Sequence, residues 1–188
     1  MKGAVFTEFL ELVEERFGLA MTDRVLKKGC PFHGGYTSVG TYDHQQLIDM
    51  VSELGVATDL PTEALVKAFG EHLFGRFLQA YPDAFLGVEG TFELLRSVET
   101  VIHVEVQKLN PEAELPRFEF PESVPGELEV IYRSNRPFAD LAEGMIRACI
   151  AHFQESYTVQ REELPGPVGT QARFVLVPEG EESRNGRD

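Results

Sequence analysis

"ELEVIYRSNRPFADLAEGMIRACIAHF", residues 127–153, holds the change of pattern that decides the fold. Its opening "ELEVIYRS" looks like a strand, and "RPFADLAEGMIRACIAHF" reads as an amphipathic helix with Phe138, Leu141, Met145, Cys149 and Phe153 on one face and Pro137 suited to its first turn. At the strand end, Tyr132, Ser134 and Arg136 stand at alternate positions, so two hydroxyls and a guanidinium would point to one side and converge on one target. Two readings fit that trio. Either the strand end turns polar side chains to water, which composition alone favours, or the three form an anion clamp in which Arg136 makes charge-assisted bonds to carboxylate or phosphate oxygens.

Working outward, "RFEF" lies upstream of this strand across the turn signals "PESVPG", while "SYTVQREEL" and "ARFVLV" form a second strand pair across "PGPVG". The helix therefore sits between two strand pairs. Upstream, the chain to about residue 110 reads as helices. Val5, Phe9, Val13 and Phe17 form the stripe of the opening one, short helices follow near 21–28 and 43–54, and a helix of roughly five turns, capped by Thr58 or Asp59 with Pro61 in its first turn, ends near Pro82. Leu94, Leu95, Val98, Val101, Ile102 and Leu109 then recur at helical spacing over 91–110 despite a β-branched run. The expected fold class is α+β: a helical N-terminal half packed on a C-terminal half with a four-stranded antiparallel sheet and an inserted helix. We expect one domain over 1–178, with a helical part of about 1–60 and a pocket-and-sheet part of about 61–178, and an acidic, polar tail at 179–188 that is frayed.

Composition narrows the function. A net charge of −14 over 188 residues, with only "RVLKK" (24–28) locally basic, argues against nucleic acid and anionic membrane as partners. The two cysteines, Cys30 and Cys149, lack metal or redox spacing, and no signal peptide or membrane span is visible, so a cytoplasmic location is expected. Among five histidines, His103 is the strongest candidate for chemistry: in the middle of an apolar helical stretch it needs a hydrogen bond, a metal, or a place at the edge of the stripe. His72 is a rival near a pocket, His33 reads as a loop residue, and His44 and His152 read as exposed or capping residues at helix ends. A ligand combining carboxylates with affinity for a lone neutral histidine would unite His103 with the 132–136 trio, and haem is such a ligand.

These residues match a family. Over essentially its whole length the chain resembles the haem nitric oxide/oxygen binding (H-NOX) domains, bacterial relatives of the haem domain of soluble guanylate cyclase. The resemblance is carried by "MKG" at the start, "VKAFG", the histidine of "VIHVEVQKL", "LPRF", and Tyr-x-Ser-x-Arg as "YRSNR" followed by "PFADLAEG". It implies haem b (iron protoporphyrin IX) between the two halves, with His103 as proximal iron ligand, Tyr132, Ser134 and Arg136 on the propionates, and Pro116 pressing on the macrocycle. Val5, Phe9, Leu73, Phe74, Leu141 and Met145 would line the pocket.

Oxygen-binding members of the family carry a distal tyrosine in the helix after the motif; the matching position here is Leu141, which implies a sensor of nitric oxide, with carbon monoxide as a further ligand, and no stable oxygen complex. His72 is the residue that could supply a distal donor instead. The resemblance further implies no catalysis of its own and a partner in trans, a histidine kinase or a diguanylate cyclase, hence two-component or cyclic-di-GMP signalling. In that scheme nitric oxide weakens the bond from iron to His103 and shifts the domain between two conformations. The alternatives are an oxygen-binding haem sensor, a haem-free protein-interaction adaptor, and a small haem peroxidase, which wants a distal His and Arg that the apolar lining does not offer.

Overall fold

The computed structural model describes residues 1–30, 35–109 and 111–180. In chain order it contains α1 (Gly3–Phe17), α2 (Leu19–Gly29), α3 (His44–Thr58), α4 (Thr62–Ala80), a 3₁₀ turn (Pro82–Phe85), α5 (Thr91–Ser97), a π-helical segment (Val98–Ile102) and α6 (His103–Leu109). There follow β1 (Arg117–Glu119), β2 (Leu128–Arg133), α7 (Ala139–His152), β3 (Tyr157–Glu163) and β4 (Gln171–Pro178). The strands form one antiparallel sheet in the order β1-β2-β4-β3, so each hairpin contributes an edge strand and β2 pairs with β4 across the point where α7 is inserted. The expected α+β class and the placement of the inserted helix are both observed.

The register follows the alternation in the sequence. Leu128, Val130 and Tyr132 of β2, with Ala172, Phe174 and Leu176 of β4, point inward and pack with Ala139, Ala142, Ile146 and Ile150 of α7. The opposite face carries charge, with Arg173 of β4 bonded through two nitrogens to Glu129 of β2 at 2.8 and 2.9 Å. A second core, built from Phe6, Phe9, Val13, Val25, Leu47, Met50, Leu54, Phe69 and Leu73, lies among α1 to α4. A third, smaller one joins Phe74 of α4, Leu94 of α5 and Cys149 of α7, with Ile102 packed against it. No helix among the described residues is long and apolar enough to cross a membrane.

Several local expectations are corrected. Phe17 is 39% exposed and Val5 half-buried, whereas Phe6 is fully buried, because Tyr36 stacks on its ring at 4.5 Å and Tyr42 meets its edge at 5.5 Å. The side of α1 outside the predicted stripe is thus covered by an irregular segment. Thr58 closes α3 and Asp59 takes the left-handed conformation (φ 56°) as its C-cap, so neither caps α4; Pro61 stands at the N-cap of α4 instead of in its first turn. Helix α7 begins at Ala139, two residues after Pro137. Its buried positions are Ala139, Ala142, Glu143, Gly144, Ile146, Cys149 and Ile150, while Leu141 and Met145 are half-buried. The predicted helix over 91–110 is helical from 91 to 109 but is interrupted by the π segment. His33 and residues 181–188 lie outside the described residues.

Helices α4 and α7 form the closest crossing. A Cβ on Gly144 would lie 2.0 Å from the Lys67 carbonyl oxygen, and one on Gly70 would lie 2.2 Å from that of Leu141, so only glycine fits at either position. Beside this crossing Glu143, 3% exposed, receives Lys67 at 3.0 Å, Arg147 at 2.8 Å and Arg161 at 3.3 Å. Burial pushes its carboxyl pKa up, but the hydrogen bonds from Lys67 and Arg147 outweigh that and hold it below the usual range.

Candidate functional site

The alternation of β2 carries past its end. Tyr132 is buried on the inward face, its ring 5.6 Å from that of Phe118, its partner across the β1–β2 pair. Burial raises the Tyr132 hydroxyl pKa, opposed by a hydrogen bond with Ser134 and by the nearby charges of Arg136 and Arg161. The Ser134 amide donates to the Thr170 carbonyl at 2.8 Å, and its Oγ accepts from the Arg136 amide at 3.0 Å, which turns the chain so that Arg136 comes back alongside. The Arg136 guanidinium, 17% exposed, donates to both the carbonyl and the carboxylate of Glu114, at 2.9 and 2.5 Å. The structure therefore brings Tyr132, Ser134 and Arg136 together, and the guanidinium is already gripping a carboxylate.

His103 is the first residue of α6, directly after the π segment. Its side chain is 13% exposed, with Nδ1 3.4 Å from Glu99 Oε1 and its ring 5.9 Å from Phe118. Burial lowers its pKa, against the opposing pull of Glu99, so the neutral imidazole, the form able to ligate a metal, is favoured at neutral pH. Of the three sequence-level explanations for His103, the structure supplies a carboxylate neighbour. Among the described residues no three His, Cys, Asp or Glu side chains are arranged to hold a metal ion. A metal on His103 would need its other ligands from a non-protein group such as a macrocycle.

The helix that carries His103 is fixed at three places. Glu155 Oε2, from the turn after α7, accepts the Thr91 amide at 3.0 Å at its start. Glu99 Oε1 accepts the Phe118 amide of β1 at 2.7 Å in its middle, and Leu94 and Ile102 join the third core. Pro116 stands half-buried just before β1.

The six predicted lining residues are divided. Phe9 and Leu73 are buried in the helical core, where the Phe9 ring meets Phe69 at 5.2 Å; Phe74 belongs to the third core; Val5, Leu141 and Met145 are half-buried and apolar. The rival His72 has its Nε2 3.3 Å from Glu8 Oε2, a carboxylate that also takes Arg76 at 2.7 Å, so its ring is held by a partner. His44 begins α3, 3.3 Å from Asp43, and His152 ends α7, exposed, against Phe74 and Phe153. A hollow of about 340 Å³ among Ile48, Val51, Val66, Pro137 and Phe138 includes none of the predicted site residues. This hollow is mainly apolar, whereas the Phe118 ring stands 5.9 Å from that of His103 and 5.6 Å from that of Tyr132.

Sequence reasoning missed Glu99, Glu114 and the π segment. Glu99 was available as a carboxylate four residues before His103, one helical turn away. Glu114 had no signal, since its contact spans 22 residues.

The haem-NO-binding family model matches residues 2–161. The chain belongs to the haem-NO-binding (H-NOX) family. This H-NOX chain is 34% identical to the H-NOX protein of K. algicida, whose unliganded Fe(II) crystal structure superposes with a TM-score of 0.88 over 96% of this chain and 98% of that one. It is 35% identical to the H-NOX of Shewanella woodyi in the IWP-051-bound Fe(II)CO state, covering 100% of this chain and 99% of that, with TM-score 0.81. The S. oneidensis H-NOX in the Fe(II)NO state shares the fold at 24% identity, covering 96% of this chain and 100% of that, with TM-score 0.87. The comparison with curated proteins returns no match. The family is one of haem-based gas sensors. The residues present fit a haem: a neutral histidine held on one nitrogen, a hydroxyl–guanidinium set that binds a carboxylate, and half-buried apolar residues on α1 and α7.

Proposed function

We propose that this domain senses nitric oxide at a ferrous haem b and regulates a partner signalling protein in trans, a histidine kinase or a diguanylate cyclase, without catalysis of its own. The observation that carries the reading is the combination of a half-buried, carboxylate-facing His103 with the Tyr132, Ser134 and Arg136 set, whose guanidinium already holds a carboxylate. Haem supplies the iron at which the gas binds, and the related proteins in Fe(II)NO and Fe(II)CO states support that choice of ligand.

In this reading His103 is the proximal ligand, Tyr132, Ser134 and Arg136 hold the propionates, and Pro116 bears on the ring. Val5, Phe9, Leu73, Phe74, Leu141 and Met145 line the pocket. Glu114, which accepts from Arg136 here, is the carboxylate that a propionate would replace. Selectivity rests on α7, which contains no tyrosine over Ala139–His152 and offers Leu141 and Met145 instead, and on the engagement of His72 by Glu8. Bound dioxygen, which carries partial negative charge, gains no donor there, whereas nitric oxide needs none. The chain acts as one sensor unit over 1–178. Its two cysteines are free thiols, in keeping with a reducing cytoplasm.

The signal leaves through His103. Its helix is tied to the turn after α7 by Glu155 and to β1 by Glu99, so a change in the hold on His103 moves residues 91–109 against the sheet. Its size is bounded by the difference in nitric oxide affinity between the two conformations. The test is spectroscopic. The purified protein is expected to be red, with a Soret band that moves when nitric oxide meets the reduced form and stays put in air, and His103→Gly is expected to lose haem unless imidazole is added. A colourless protein that cannot be reconstituted, or a His103→Gly variant that keeps haem unaided, overturns the reading.

A further inference from the structure

Glu99 has two contacts through one oxygen. Its Oε1 accepts the backbone N–H of Phe118 at 2.7 Å and lies 3.4 Å from His103 Nδ1. The first contact anchors the carboxylate to strand β1, so it is not a freely turning surface acid. The second places that anchored charge 3.4 Å from Nδ1, which leaves Nε2 as the other ring nitrogen. Phe118 closes the arrangement, since its amide binds Glu99 while its ring stands 5.9 Å from that of His103.

The chemical consequence follows from the two inequivalent nitrogens of imidazole. A carboxylate at Nδ1 holds the proton there, which leaves the lone pair on Nε2, and by drawing on that proton it makes Nε2 a stronger donor to a metal. We propose that Glu99 is the positioning residue of the proximal histidine: it fixes the tautomer and orientation of His103, strengthens its bond to iron, and ties that bond to strand β1 through the Phe118 amide. This rests on the haem reading above. It adds that the bond nitric oxide must weaken is set by a residue that touches neither haem nor gas. Glu105, on the same helical stretch, pairs with Lys108 at 2.6 Å and is the internal comparison.

The test uses the haem-loaded full chain. Glu99→Gln keeps an oxygen able to accept the Phe118 amide but removes the charge, so the fold persists while the pull on Nδ1–H weakens. Resonance Raman of the ferrous protein should show the iron–histidine stretch moving to lower frequency, the midpoint potential should rise, and haem affinity should fall about tenfold. Nitric oxide should displace His103 faster. Glu99→Asp, which restores the charge with a shorter reach, should move frequency and potential back toward wild type, and Glu105→Gln should leave both unchanged. If wild type takes up haem through His103 but Glu99→Gln keeps its stretch and potential, the role of Glu99 is refuted and the haem site stands. If wild type does not hold haem through His103, both fall together. Where Glu99→Gln fails to load haem, Glu99→Asp loading it with a stretch and potential near those of wild type supports the inference, and Glu99→Asp loading no better than Glu99→Gln overturns it.

Discussion

Adding one methyl group at Gly144 should separate the two halves of the molecule measurably. Its Cβ would lie 2.0 Å from the Lys67 carbonyl oxygen, where ordinary contact begins near 3.4 Å, so α4 and α7 must part locally by about 1.4 Å. Backbone atoms, unlike the end of a flexible side chain, cannot turn aside. Overpacking of this kind costs up to about 3 kcal/mol, and the gain in helix propensity from glycine to alanine returns about 1 kcal/mol, which leaves a net loss of about 2 kcal/mol. For a chain of this size that is a fall in Tm of about 4–8 °C. Gly75 on α4 provides the control, because nothing lies within 4 Å of its Cβ and Gly75→Ala should stabilise. The Gly70→Ala/Gly144→Ala double variant should cost less than the sum of the two single ones, since the first methyl opens the gap the second needs. Guanidinium unfolding monitored by circular dichroism measures all four variants. Gly144→Ala as stable as Gly75→Ala would refute the reasoning.

Other expectations test separate parts of the structure. Glu143→Gln leaves Lys67, Arg147 and Arg161 short of one buried negative charge and should cost about 2–3 kcal/mol at pH 7, less than a fully buried pair because the cations are partly exposed. The folded pKa of Glu143 lies below its ordinary 4.5, so its contribution is full above that pH and is lost as pH falls through the folded value; the gap between wild type and variant in denaturant titrations should therefore close in acid. Burial pushes the Cys149 thiol up to about 12, so a thiol reagent at pH 8 should label Cys30 in the native protein and Cys149 only after unfolding. Leu141→Tyr should supply the missing distal donor and raise oxygen affinity of the ferrous haem protein about tenfold, read from its visible spectrum in air; an unchanged spectrum would show that position 141 does not reach the bound gas.

What could be read from the sequence divides by how many neighbours an element has. β2, β3 and β4 were legible because a sheet with one covered face imposes alternation, visible as Leu128, Val130 and Tyr132 inside against Glu129 and Arg133 outside, although Ile131 between them is buried as well. The existence of α7 was equally plain, but not its buried side. The sheet takes Ala142, Ile146 and Ile150 while α4 takes Gly144, so a search for one apolar stripe favoured Leu141 and Met145, which are only half-buried. Helix α1 shows the same effect, with Tyr36 and Tyr42 covering Phe6. At the candidate site, Tyr132, Ser134 and Arg136 were legible through a period of two, and His103 through its apolar surroundings. Glu114 was not, because its contact depends on how the loop before β1 returns to Arg136.

The π segment at Val98–Ile102 has a consequence for how the length of this helix is counted. A π turn holds one residue more than the α turn it replaces, so the stretch from 91 to 109 contains an insertion absorbed without a loop. Deleting any one residue of "VETVI" would restore an unbroken α-helix and would look harmless on propensity. It would also leave everything downstream facing the same way, because a π turn spends one extra residue on the same revolution, so the histidine would still stand against Phe118 and strand β1. The extra residue thus changes the count along the helix and not the direction in which His103 faces, and a gap placed there in an alignment would pair two histidines that face the sheet alike.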